Sequence, residues 1–252
     1  MALIEELDKQ GQFLFRWRSY LPAVFLFLSF FFLPYYQYPN QNYEHHLYYL
    51  LFCLFVSLFG LALRGIVIGY SPENTSGRNT KKQVADSINK TGIYSLIRHP
   101  LYLGNFFLHG GIALIPRSSI LLILFFFLHW FYYERIMFTE EQYLRNKFGQ
   151  KYISWAAHTP ALIPNFQNFK KPETSFSFKT VIRKEYSSFL GILIIFVLLD
   201  ILISYFLRGF NFEIGHNLFS DFQKSIFLFS IVMYISLRIV VKKTSWLKLD
   251  GR

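Results

Sequence analysis

The feature that most limits this chain is a series of apolar runs too long and too rich in phenylalanine for a water-soluble interior. Runs at 20–36, 47–68, 118–138, 189–207 and 225–241 match or approach the roughly 20 residues an α-helix needs to cross hydrocarbon. A sixth run, 101–115, is shorter. It rises only about 22 Å against a hydrocarbon core of about 30 Å, and Pro116 turns it back into the next run as a helical hairpin. With 31 Phe in 252 residues and only 16% charged residues, against about 25% in a soluble domain, the apolar excess must face lipid. The expected fold class is therefore all-α, a polytopic membrane helical bundle of about six transmembrane helices. Glu5, Glu6 and Asp8 stand where a cleavable leader would be basic, so the first run is expected to stay as a span.

Lys and Arg placement orients these spans. With the N-terminus in the cytosol, the segments 1–19, 69–100, 139–188 and 242–252 hold 20 of the 26 basic residues. The opposite side holds Arg117, Arg208 and Lys224. That asymmetry predicts both termini in the cytosol. It also accounts for the net charge of +11, because a basic face suits an anionic leaflet, so no nucleic-acid partner is called for. The single cysteine, Cys53, excludes a disulfide within the chain and reads as a packing residue. No metal-ligand cluster and no obligate protein partner is evident. Asp200, deep in the fifth run, is expected to be neutral or hydrogen-bonded to the sixth. His45 and His46 are expected to be solvated in a loop on the far side.

Two patterns carry chemistry. The first is Gly92-Ile93-Tyr94, followed by Arg98-His99-Pro100-Leu101-Tyr102-Leu103-Gly104. Pro100 suits the first turn of a helix, so Arg98 and His99 should sit just outside its N-terminus, where free N–H groups favour an anion. Gly104 would allow another group to come close. The second pattern runs Glu134, Glu140-Glu141, Leu144, Phe148-Gly149, Tyr152 and then Pro160-Ala161-Leu162-Ile163-Pro164. Helical spacing places Glu134, Glu141 and Phe148 on one stripe. Acidic residues at the end of an apolar helix are not what lipid anchoring requires.

Together these patterns resemble the isoprenylcysteine carboxyl methyltransferase family of integral membrane methyltransferases, over about residues 89–164. The resemblance implies a cytosolic-face site for S-adenosyl-L-methionine, contacted by His99, Pro100, Leu101, Tyr102, Gly104, Glu140 and Glu141. It also implies a lipid or lipidated acceptor. Arg98 and Glu134 are the candidate catalytic residues, with Arg98 orienting an anion. His158 stands where family members acting on an isoprenylcysteine carboxylate carry an Arg. The first polar loop, which also offers Lys81 and Lys82, runs Gly77-Arg78-Asn79-Thr80 and then Ser87-x-Asn89-x-Thr91-Gly92-x-Tyr94, and so resembles bacterial relatives that methylate lipid A phosphate. Arg64, Arg78 and His158 are accordingly the candidate acceptor-binding residues. A lipid phosphate such as lipid A 1-phosphate is the expected acceptor, and a bacterial cytoplasmic membrane the expected location. An isoprenylcysteine carboxylate is the alternative, and a nicotinamide-dependent membrane reductase the remote one. The expected organisation is a core over 1–188, with four spans and a cytosolic helix, followed by a two-helix extension over 189–252.

Overall fold

The structure is a computed structural model that describes residues 2–72, 75, 83–208 and 221–247. Its main elements are α1 (Leu3–Trp17), α2 (Leu21–Phe32), α3 (Tyr43–Tyr70), α4 (Pro100–Leu114), α5 (Ser119–Phe148), α6 (Gln150–Ala156), α7 (Phe178–Arg208) and α8 (Asp221–Lys243). The expected all-α membrane bundle is what the chain forms. Five helical stretches are long and apolar enough to cross a membrane: Leu3–Tyr35, Tyr43–Tyr70, Ser119–Phe148, Phe178–Leu207 and Ser225–Lys243. The sixth expected span is α4, whose 15 residues fall short of that length.

Local chemistry sets the helix ends. Asn42 caps α3 by accepting from the Glu44 N–H, and Ser118 caps α5 through the Leu121 N–H, each satisfying an orphan donor of the first turn. Pro100 opens α4 as expected. At the end of α5, Gly149 has φ +53 and ψ −131, a region essentially reserved for glycine. It reverses the chain into α6, which explains the glycine of the Phe-Gly-x-x-Tyr element.

Small residues allow α3 and α4 to pack backbone to backbone. A Cβ added at Gly60 would lie 2.4 Å from the Gly104 carbonyl, and one added at Gly111 would lie 2.4 Å from the Cys53 carbonyl. Ser57 donates across the interface to the Leu108 carbonyl at 2.9 Å. Close approach of this kind stabilises helix pairs where lipid supplies no hydrophobic drive. α7 packs along the other side of α3 and contributes Ile192, Phe196, Leu199 and Ile203 to a core shared with Leu33, Cys53, Leu108 and Ile112. The division expected at residue 188 falls inside α7, which is continuous there. Around the bundle, Phe27, Phe31, Phe55, Phe127, Phe131 and Phe229 remain exposed, as expected of lipid-facing surface.

Two features were not anticipated. Residues 3–17 form a helix that runs antiparallel to the end of α5. Tyr132 donates to the Leu14 carbonyl, Thr139 to the Asp8 carbonyl, and Gly11 sits against the Arg135 carbonyl and Thr139. At the opposite end of the bundle, His46 is not solvated but 1% exposed. Its Nε2 donates to Asp200 at 2.8 Å, and its Nδ1 accepts from the Tyr36 hydroxyl at 2.7 Å. Asp200 therefore bonds to α3 through His46.

Candidate active site

The two sequence patterns are hydrogen-bonded partners. The Arg98 and His99 N–H groups donate to the Pro160 and Ala161 carbonyls at 2.8 and 3.2 Å, and the Asn165 N–H donates to Leu96 at 3.0 Å. The Pro-x-Leu-x-Pro element thus seals the entrance to α4. The N–H groups of Arg98 and His99 are taken up by this segment and are not free for an anion.

Side chains from α4 and α5 converge beside this seam. Glu141 accepts from Arg98 Nε and from His99 Nε2, both at 2.9 Å. Glu140 accepts from the Tyr102 hydroxyl at 2.6 Å and lies 3.8 Å from His99 Nδ1. His99 stacks on Tyr102, with ring centroids 5.7 Å apart, and Tyr102 packs against Tyr133 at 4.7 Å. Arg98 Nη1 donates to the carbonyls of Ala156 and Thr159 at 2.8 and 3.0 Å. Its Nη2 makes no hydrogen bond among the described residues. Arg98 also lines an open cleft of about 720 Å³ with His158, Pro160, Ala161, Asn165 and Phe166, a volume in the range of small-molecule sites.

Several other assigned residues take different places. Pro100 is buried and Leu101 half-buried on the first turn of α4. The close approach permitted by Gly104 is that of α3, because a Cβ there would meet Arg64 Cγ at 2.6 Å. His158 sits at the cleft rim, its Nδ1 bonded to the Ser154 carbonyl at 2.9 Å. Glu134 stands apart from the cluster, with its 42% exposed carboxylate paired to neighbouring Arg135 at 2.8 Å. Arg78, the Gly77–Thr80 turn, Lys81 and Lys82 lie outside the described residues.

Arg64 has moved into a network of its own. Its Nε and Nη2 grip Glu185 of α7 at 3.2 and 2.5 Å, and its Nη1 donates to Asn105 Oδ1 at 2.5 Å. Asn105 Nδ2 passes the chain to the Tyr133 hydroxyl at 2.9 Å. Tyr133 thereby touches both this network and the Tyr102 ring beside Glu140.

Residues overlooked in the sequence also reach the site. Arg18, at the break between α1 and α2, lies 3.7 Å from Glu140. It looked like an ordinary basic flank of a span, and nothing in its spacing tied it to Glu140. Tyr152 was seen as part of a motif without a role. Burial, and then the adjacent Glu141 carboxylate, push its hydroxyl pKa well above the ordinary value. Its hydroxyl is buried next to Glu141, and among the described residues the neighbouring Trp155 indole N–H is buried without a hydrogen-bond partner. Buried polar atoms are seldom left so, and Trp155 directly precedes Ala156 of the cleft lining.

The fold and this charged cluster define a helical membrane protein with an Arg–His–Glu site where helix meets polar loop. Comparison with known proteins agrees with that class. The phospholipid methyltransferase family model matches residues 74–151. The Protein-S-isoprenylcysteine O-methyltransferase of Saccharomyces cerevisiae is 35% identical over 85 residues, which is 34% of this chain and 36% of that protein. Protein-S-isoprenylcysteine O-methyltransferase B of Arabidopsis thaliana is 29% identical over 118 residues, covering 43% of this chain and 59% of its own length. The Tribolium castaneum Protein-S-isoprenylcysteine O-methyltransferase is 26% identical over 141 residues, 56% of this chain and 50% of that protein. The likeness thus spans well under two thirds of each relative. No solved structure matches the chain.

Proposed function

We propose that this chain transfers a methyl group from S-adenosyl-L-methionine to a carboxylate carried on a lipidated acceptor, of the isoprenylcysteine kind. The observation that carries the reading is that Arg98, His99, Tyr102, Glu140 and Glu141 come together in space and all lie within the stretch, residues 74–151, that resembles methyltransferases. The fungal, plant and insect relatives are named for isoprenylcysteine. Lipid A phosphate and a bacterial cytoplasmic membrane find no support among them, so the carboxylate replaces the phosphate as preferred acceptor.

The donor set fits the cofactor. Its ammonium suits Glu140 or Glu141, its carboxylate suits the Nη2 donors of Arg98, and its adenine and sulfonium suit the faces of His99, Tyr102 and Tyr133. The Trp155 indole N–H supplies a further donor. When bound, the cofactor supplies an electrophilic methyl on a positive sulfur. The acceptor carboxylate is already ionised near pH 7, so no residue has to remove a proton. The work left to the chain is to hold one oxygen in line with that methyl, in a site shielded from water. Arg98 braces Glu141 and the carbonyls of Ala156 and Thr159, which keeps the cofactor side rigid. Arg64, at the membrane side of Tyr133, holds the acceptor. Glu134 plays no part in this arrangement. Lys and Arg placement supports a cytosolic face for the site and both termini.

The test is direct. Purified protein is given labelled cofactor with a farnesylcysteine analogue, and separately with a phospholipid-type phosphate. Label transfer to the farnesylcysteine is expected. Transfer to neither compound, or selective retention of a nicotinamide, would overturn the reading. His99→Ala, Tyr102→Ala and Glu141→Ala should each weaken cofactor binding at least tenfold without unfolding the protein.

A further inference from the structure

Glu185 lies on α7, outside the residues 74–151 that match the family model, yet its carboxylate reaches the inner edge of the site. Its side chain is 5% exposed, against 14% for the Arg64 it holds. Arg64 has five N–H donors. Glu185 takes one on Nε and one on Nη2, and Asn105 takes one on Nη1. One donor on each terminal nitrogen remains, in a guanidinium that keeps an opening. Among the described residues, those two hydrogens are left for an incoming oxygen acceptor.

We propose that Glu185 is a positioning residue: it holds Arg64 side-on, leaves the terminal nitrogens to receive the acceptor carboxylate, and so makes α7 part of the reaction machinery. This rests on the methyl-transfer reading above. The chemistry explains why a counter-ion belongs there. A bare guanidinium in a partly dry site would bind an anionic nucleophile firmly and draw electron density from the oxygen that must attack. Glu185 already neutralises Arg64, so the remaining donors orient the acceptor by hydrogen bonds without holding it in a deep electrostatic well. Binding spent on the ground state does not lower the barrier. Gly104 belongs to the same device. It leaves space for the Arg64 stem to cross α4, and Asn105 on the next residue then catches the guanidinium.

The discriminating variant is Glu185→Gln, which keeps shape and most hydrogen bonding but removes the charge. In full-length protein in lipid nanodiscs, with the farnesylcysteine analogue as acceptor, KM for the acceptor should fall severalfold and kcat at least tenfold. Cofactor Kd should stay within twofold. A purely structural residue would instead weaken cofactor binding and acceptor use together. An unchanged or raised acceptor KM in a folded Glu185→Gln protein overturns the inference. Should that variant not fold, Arg64→Lys carries the test: it keeps the charge and loses the fork, and acceptor KM should rise about tenfold with cofactor Kd unchanged. An unaltered acceptor KM there overturns the inference equally. Absence of wild-type turnover would overturn the functional reading and this inference with it, whereas wild-type turnover with unresponsive variants removes the inference alone.

Discussion

Two Arg–Glu pairs flank the same aromatic residues, and they differ in what surrounds them. Arg98–Glu141 lies between α4 and α5, with side chains 19% and 27% exposed, and shares its carboxylate with His99. Arg64–Glu185 joins α3 to α7, is more deeply buried, and uses both carboxylate oxygens. The first sits at a seam with a polar loop, where partial solvation lets a ligand exchange with existing partners. The second sits inside the bundle, where one charge cannot be left alone. A pair at the rim is suited to binding, and a buried one is suited to fixing geometry.

The largest effect expected from breaking this contrast follows from Glu185→Ala. It strands Arg64 without a counter-charge, and loss of one partner of a buried pair costs about 3–5 kcal/mol. Thermal unfolding in detergent should show it, whereas Glu141→Ala should fall well below that cost while losing more cofactor affinity. Equal destabilisation by the two variants would erase the distinction. Next in size is Gly104→Ala, whose added methyl meets Arg64 and the Gly60 carbonyl. Overpacking of this kind costs about 1–3 kcal/mol, and displacement of Arg64 should raise acceptor KM while cofactor Kd holds. Asp200→Asn keeps a hydrogen-bonding group for His46 and should cost about 1 kcal/mol, read as a lower unfolding temperature with unaltered cofactor Kd. The smallest effect belongs to Glu134→Gln. Its half-exposed pairing with Arg135 is worth about 0–1 kcal/mol, and turnover should be unchanged. A marked loss of turnover would return Glu134 to the site.

The contrast also marks how far the sequence could be read. The spans were legible because lipid demands long apolar runs, and the 20–36, 47–68 and 118–138 runs all lie within or nearly within helices of the structure. The His99–Glu141 and Tyr102–Glu140 bonds were legible as a neighbourhood, because a helix start, a hairpin and a helix end at fixed spacing leave little freedom. α1 was hidden, because Glu5, Glu6, Asp8, Lys9 and Gln12 interrupt any apolar run. The partner of Arg64 was hidden for a different reason. Hydropathy shows that a helix crosses a membrane and says nothing about which neighbour it lies against, so Glu185 read as one more acid in a polar stretch. The same blindness placed His46 in solvent and left Asp200 without its partner. It also hid the use of the Arg98 and His99 N–H groups, since no local rule reports that a segment some sixty residues on will cover them.

The Tyr36–His46–Asp200 chain bears on how the molecule is assembled during synthesis. A helix entering lipid by itself with an aspartate near its centre is penalised by about 2.5–3.5 kcal/mol. α7 carries that aspartate, and its hydrogen-bond partner His46 is held by Tyr36 on an earlier part of the chain. The first two spans are made before α7 emerges, so the donor for its carboxylate is already waiting. Insertion of α7 is then rewarded only when it docks in one place along α3. A wrong register forgoes the His46 bond to Asp200, and the far end of the bundle acts as a checkpoint on the register that brings Glu185 to Arg64.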